Sequence, residues 1–213
     1  MNISGIYKKY ITPPNLQNHL LLVTKIVLAI CDHWKSKKLN RETLLKAALL
    51  HDLANIVKFD FVNHPEFLGS EIKNLQFWIG QQKIIKDKYG TDDHEATKKM
   101  LEELEVDQGI IDIILSKSFG NSISVSESSN TEAKILLYSD MRAGPFGIVT
   151  LQDRLKDIIT RLEQYKNRSD LSDLIKACEN IEKEIQKNCD FDLNNLSETS
   201  FKCTDKQLLD IQT

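Results

Sequence analysis

Residues that interrupt helices are scarce in this chain. Eight glycines and four prolines among 213 residues amount to about half of their usual combined share of roughly 12%. Leu, Ile, Lys and Glu are abundant instead, a combination that favours long helices over a turn-rich β fold. Apolar residues make up 41% and charged residues 28%. Both values are near the globular norm and argue against a disordered or fibrous chain.

The apolar spacing divides the chain into helices. Leu16, Leu20, Val23, Val27 and Ile30 recur at helical intervals and predict a helix from about Asn15 to Trp34, after an N-terminal arm that ends at Pro13-Pro14. Past a polar connection at Lys35–Lys38, Asn40 is a fair N-cap for a helix carrying Leu44, Leu45, Ala47, Ala48, Leu49 and Leu50. A helix apolar almost all round belongs in the core, and this one ends at His51-Asp52. Residues 56–66 read as a loop, Phe67–Tyr89 as one long helix closed by Gly90, and His94–Glu105 and Gln108–Ser116 as two more. Phe119–Asn130, rich in Ser and Asn, is expected as a surface loop before a helix from Thr131 to Asp140. Gly144, Pro145 and Gly147 mark a tight turn. Two stripes follow, Leu151 to Leu162 and Leu171 to Ile185, the second within a terminal helix from about Ser169 to Asn188, with a loosely held polar tail beyond. The expected fold is all-α: one domain over residues 1–213, a compact multi-helix bundle with its core at about 15–165 and additional C-terminal helices.

Several function classes are excluded at this level. A net charge of −3 with the five His neutral provides no global basic field, so no nucleic-acid partner is expected. Cys31, Cys178, Cys189 and Cys203 form no CxxC pair, which excludes a zinc ribbon and leaves reduced thiols as the plain expectation. The most apolar run, Leu20–Ile30, is interrupted by Lys25 and is too short for the roughly 20 residues a bilayer requires. With no small-residue cleavage site after it, a cytoplasmic location without membrane association is expected.

Four side chains with metal-ligand chemistry fall on helix faces that should point inward. His19 lies three residues after Leu16 and four before Val23, and His51 is one turn beyond Ala47 and Ala48, with Asp52 adjoining it. Asp140 follows Leu136 by four residues. A carboxylate is costly to bury unless it is paired, protonated or bound to a cation. A shared divalent ion would account for both acids and both imidazoles. Their mixed nitrogen and oxygen donors suit one divalent transition metal (Mn, Fe, Co, Ni or Zn) and suit Ca poorly.

His19, the adjacent His51-Asp52 in ALLHDLANI, and Asp140 in LLYSDMRAG resemble the H…HD…D pattern of HD-domain metal-dependent phosphohydrolases, over about Asn15 to Arg161. The resemblance implies an all-α fold in which His19, His51, Asp52 and Asp140 converge from separate helices on one metal. It also implies hydrolysis of a phosphate ester or anhydride, the ion acidifying water and stabilising charge on phosphoryl oxygens. A nucleotide or another small phosphorylated metabolite is then the expected substrate.

The chain departs from that pattern at two places. Some relatives bind a second metal through additional His. His94 could be one of these, but Ser116-Lys117-Ser118-Phe119 offers none where the other would stand, so one metal is expected. His94 is read as an acid/base or phosphate-contacting residue, or as a solvent-facing residue at a helix start. The second departure is Asn55, where single-metal nucleotidases of the family often carry a catalytic Glu; Asn can orient water or bind phosphate but cannot transfer a proton as a carboxyl does. Glu66 or His64 could supply that acid.

Phosphate calls for cationic donors, and the candidates are Lys58, Arg142 and Arg154, with Arg154 alternatively pairing with a neighbouring Asp. Phe77 and Trp78 fit a core contact or a homo-oligomer contact. The alternative reading is a catalytically weak or inactive HD-fold ligand-binding or signalling module, favoured by Asn55 and by the absent extra His.

Overall fold

The structure, a computed structural model, describes residues 1–36, 38–144 and 146–212, with Phe67 and Glu163 described by their backbone alone. Lys37 of the expected connection and Pro145 of the expected turn lie outside the described residues.

The N-terminal segment is not an arm. Residues Ile3–Lys9 form helix α1, capped by Asn2, whose side-chain oxygen accepts from the Gly5 amide at 2.9 Å. Seven residues are too few for a periodic stripe to declare itself in the sequence, yet Ile3, Ile6 and Tyr7 are buried. The Tyr7 hydroxyl donates to the carbonyl of Leu49 at 2.7 Å. Pro14 then opens α2 (Pro14–Asp32) at a position where its missing N–H costs nothing.

Helix α3 (Arg41–Leu50) begins as the sequence predicts, with Asn40 Oδ1 accepting from the Thr43 amide at 3.1 Å. Leu44, Ala47, Ala48, Leu49 and Leu50 are all fully buried. Each leucine sequestered in this way contributes roughly 1.5–3 kcal/mol by removing its side chain from water.

The predicted helix from Phe67 begins later. Two 3₁₀ segments, Asn55–Lys58 and Pro65–Asn74, precede α4 (Leu75–Tyr89). Gly69 breaks the second of them at φ 56°, a backbone conformation that glycine adopts at little cost and other residues avoid. Trp78 of α4 is buried and Phe77 is exposed. Helices α5 (Asp93–Glu103) and α6 (Gln108–Ser116) follow, with Asp92 and Asp107 as their N-caps.

The segment expected as a surface loop contains α7 (Ser122–Glu127). Its Ser122 is fully buried and donates to the carbonyl of Leu174 at 3.0 Å. Helix α8 (Thr131–Arg142) starts on the Asn130 cap and ends in a hairpin of β1 (Ala143–Gly144) and β2 (Gly147–Ile148), paired Ala143 to Ile148 and Gly144 to Gly147. Beyond it come α9 (Leu151–Arg161), α10 (Glu163–Lys166), α11 (Leu171–Asn188) and α12 (Asp205–Leu209).

The tail is held, against expectation. Leu193, Leu196 and Leu208 are buried, and the Ile3 amide donates to the Ile211 carbonyl at 3.0 Å. The apolar residues of this segment are too widely spaced to read as a stripe, but each one fills a gap in an existing core.

The fold is therefore all-α apart from two short strands. Among the described residues no helix is long and apolar enough to cross a membrane, and all four cysteines are free. At the centre, α2 packs against α3 and α8, α3 packs against α6 and α8, and α6 packs against α8. That arrangement brings together the ends of helices on which the candidate ligands lie.

Candidate metal centre

Three helices each deliver one donor to the same point. His19 comes from the second turn of α2, His51 from the C-cap of α3 and Asp140 from the last turn of α8. One ligand atom from each lies within 4.8 Å of the others. Asp140 Oδ1 is 3.1 Å from His19 Nε2 and 3.6 Å from His51 Nε2. Asp52 stands beside this trio, with Oδ2 at 3.9 Å from His19 Nε2 and 4.0 Å from His51 Nε2.

His51 has the strongest structural preparation for a metal. Its side chain is fully buried, and Nδ1 lies 2.8 Å from the carbonyl of Ala48. A carbonyl only accepts, so Nδ1 carries the proton and Nε2 is left as the lone-pair nitrogen of the neutral ring. That Nε2 is buried without a hydrogen-bond partner among the described residues, a costly state for a polar atom unless something binds it. An imidazole fixed by a backbone carbonyl on one nitrogen and open on the other is the usual preparation of a histidine metal ligand. Together with His19, Asp140 and the neighbouring Asp52, the donor set fits a divalent transition ion.

The match to known families agrees with this geometry. The sequence model of the HD domain matches residues 16–155, a span that includes all four of these residues. The chain belongs to the HD-domain family. No curated protein and no solved structure matches the chain, so what this HD domain does must be argued from its own residues.

A fifth residue enters the HD centre that sequence reading did not select. Lys117, at the C-cap of α6, is buried, and its ammonium lies 2.5 Å from Asp52 Oδ1 and 3.3 Å from Asp140 Oδ2. Burial by itself raises a carboxyl's pKa. Here the Lys117 charge outweighs burial and holds Asp52 below the usual carboxylate range. Asp140 lies well below that range as well, because the Lys117 charge, with the hydrogen bond from His19, overcomes its burial. Burial pulls Lys117 down, but the two carboxylates more than offset it and leave the ammonium above its ordinary value. A signal for Lys117 exists in the sequence: it follows Ile113 by four residues and Ile114 by three, both of them buried, so it continues the core face of α6.

The remaining candidates fall in different places. Asn55 lies at the centre, donating from Nδ2 to Asp52 Oδ2 at 2.7 Å, and its own Oδ1 is buried without a partner among the described residues. Lys58 is half exposed and pairs with Asp93 at 2.7 Å, and its charge reaches Asp52. His94 is the second residue of α5, adjoining that Asp93, and is half-buried. His64 and Glu66 are both exposed and pair with each other at 3.0 Å. Arg154 pairs with Asp157 at 2.9 Å.

Arg142 requires a correction as a phosphate donor. It is buried, and its guanidinium donates to the Val149 carbonyl, the Tyr138 hydroxyl and the Leu193 carbonyl. Two residues advance about 200° round a helix, so adjacency to Asp140 in sequence turns Arg142 to the opposite side. Its role in this structure is to fasten the hairpin and the tail to α8.

Proposed function

We propose that this HD domain is a metal-dependent phosphohydrolase that cleaves a phosphate ester or anhydride of a nucleotide or another small phosphorylated metabolite. The observation that supports it most is His51 Nε2, buried and unpartnered, facing His19 and Asp140 within ligand reach. HD domains are generally metal-dependent phosphohydrolases, and a divalent ion in such a site supplies Lewis acidity to phosphoryl oxygens and acidifies water.

The chain's own residues divide the remaining work. His19 Nε2, His51 Nε2 and Asp140 Oδ1 would hold the ion, with Asp52 Oδ2 at their margin. Asn55 orients Asp52 through its Nδ2. Lys58 keeps an ammonium half exposed near the site, where it is available to exchange Asp93 for a phosphate oxygen. His94, one residue from Asp93, is the candidate for moving a proton to the leaving group.

One observation favours a second reading, a binding or signalling module with weak turnover or none. An amide stands at position 55, where a carboxyl would be needed to transfer a proton. The test for both is metal content of the wild type and Asp52→Ala, followed by phosphate release from a nucleotide panel with Mn, Co and Mg. Stoichiometric metal with phosphate release, both lost in the variant, is the expected result. Bound metal without turnover on the whole panel would give the module reading priority. No metal in the wild type after reconstitution would overturn both.

A further inference from the structure

Each carboxylate in the HD centre divides its two oxygens between two sides. Asp140 turns Oδ1 to the imidazoles, at 3.1 and 3.6 Å from their Nε2 atoms, and Oδ2 to the Lys117 ammonium at 3.3 Å. Asp52 does the same, with Oδ2 on the imidazole side at 3.9 and 4.0 Å and Oδ1 on the ammonium at 2.5 Å. Two carboxylates that each present one oxygen to either side define two adjacent cation positions. On the first side the other groups are neutral-ring nitrogens with metal-ligand chemistry. On the second side a cation is already covalently attached to the chain.

From this division we infer that Lys117 serves as a built-in second cation, which restricts the centre to one divalent ion and fixes both carboxylates for that ion. The inference rests on the proposed metal site.

The physical case has three parts. Lys117 is almost wholly withdrawn from solvent, and an ammonium in that state is tolerable only when its charge is met; two carboxylates meet it. A second divalent ion on the same side would have to displace the ammonium or endure its repulsion at ligand distance, where the burial of Lys117 and Asp52 strengthens charge interactions. Finally, the ammonium holds one oxygen of each carboxylate, leaving Asp140 Oδ1 and Asp52 Oδ2 oriented toward the imidazoles before any ion arrives, which lowers the cost of binding one. In this arrangement Lys117 is a positioning residue.

The experiment is a Mn²⁺ titration of the full chain and its Lys117 variants, read by metal content and by electron paramagnetic resonance, neither of which depends on turnover. The wild type is expected to take one ion and to give an isolated Mn²⁺ spectrum. Lys117→His, which exchanges the cation for a ligand, is expected to take two and to show the broadened spectrum of a coupled pair. Lys117→Met is expected to admit a second ion more weakly, and Lys117→Arg to remain at one. Circular dichroism restricts the comparison to folded variants. Two ions in the wild type, or one ion in every folded variant, would overturn the inference and leave the metal site standing. If the wild type takes none and Lys117→Met takes one, Lys117 holds the ion's own place, which overturns both the single-ion inference and the reading of a native metal site. No ion in any variant would overturn both.

Discussion

The guanidinium of Arg142 donates to the carbonyl of Leu193 at 3.0 Å, tying the helix that carries Asp140 to a tail more than fifty residues further along. The same group also bonds the Tyr138 hydroxyl and the Val149 carbonyl. Arg142→Leu would remove the charged donor from all three, although the Leu193 carbonyl keeps the Leu196 amide and the Tyr138 hydroxyl still donates to Glu182. The expected cost is about 1.5–3 kcal/mol in chemical denaturation, the usual worth of hydrogen bonds made by a charged donor. Arg142 as a phosphate donor would instead leave stability unchanged and raise KM, so the two measurements together decide its role.

Removal of metal should be visible in melting. An ion bound only by the folded state stabilises it by about 2.7 kcal/mol when its free concentration is 100-fold above Kd, roughly 5–10 °C for a chain of this size. Chelation is expected to lower the melting temperature by that order and not to unfold the chain, because Lys117 stays paired with both Asp52 and Asp140. In Asp140→Asn the chelator should produce no further shift. An equal shift in wild type and variant would place the ion elsewhere.

Asn55 offers a sharper test of Asp52. Its amide is a donor to the Asp52 oxygen that faces the imidazoles, and loss of such an orienting partner typically weakens metal binding by roughly 10- to 100-fold. Asn55→Ala is expected to weaken Mn²⁺ binding by that factor in a calorimetric titration. Unchanged affinity would show that Asp52 Oδ2 does not bear on the ion.

How much of this was legible beforehand follows the geometry of each residue. His19, His51 and Asp140 lie on or at the end of helices whose apolar stripes announce an inward face, so their orientation could be read from spacing, and their convergence from the resemblance to the H…HD…D pattern. Arg142 is not legible in the same way, because nearness in sequence to Asp140 is not nearness in space: two residues turn a side chain to the opposite side of a helix. Lys117 sits one residue beyond its helix, where a lysine reads as a solvated end unless its spacing from Ile113 and Ile114 is counted. The 3₁₀ stretch at Pro65–Asn74 was hidden because Gly69 resembles any helical glycine until its positive φ is known.

Acid stability should depend on Glu103. This carboxylate accepts from Tyr89 at 2.7 Å and pairs with Lys9 at 3.0 Å and Lys88 at 3.1 Å, which joins α1, α4 and α5. The Tyr89 hydroxyl first, then the two lysines, bring its pKa down from 4.5 to about 2. A carboxyl depressed in the fold stabilises above its ordinary value, and the contribution fades as pH falls through the lowered one. Melting followed from pH 5 to pH 2 is expected to show a shallower loss in Glu103→Gln than in the wild type. Asp52 and Asp140 are common to both proteins, so the difference between the curves isolates Glu103. Solvent screening keeps the effect to one or two degrees or so. Parallel curves would remove Glu103 from the account.

The Tyr7 hydroxyl that meets the Leu49 carbonyl bears on where the working unit ends. Leu49 is two residues before His51, in the last turn of α3, where carbonyls lack the regular intrahelical donor. The family's shared span, residues 16–155, contains the ligands but neither Tyr7 nor the Leu193 carbonyl that receives Arg142. A fragment trimmed to that span would keep every metal donor and lose the braces on two of the three helices that aim them. In this chain the matched span holds the chemistry, while the segments on either side of it hold the aim of the helices steady.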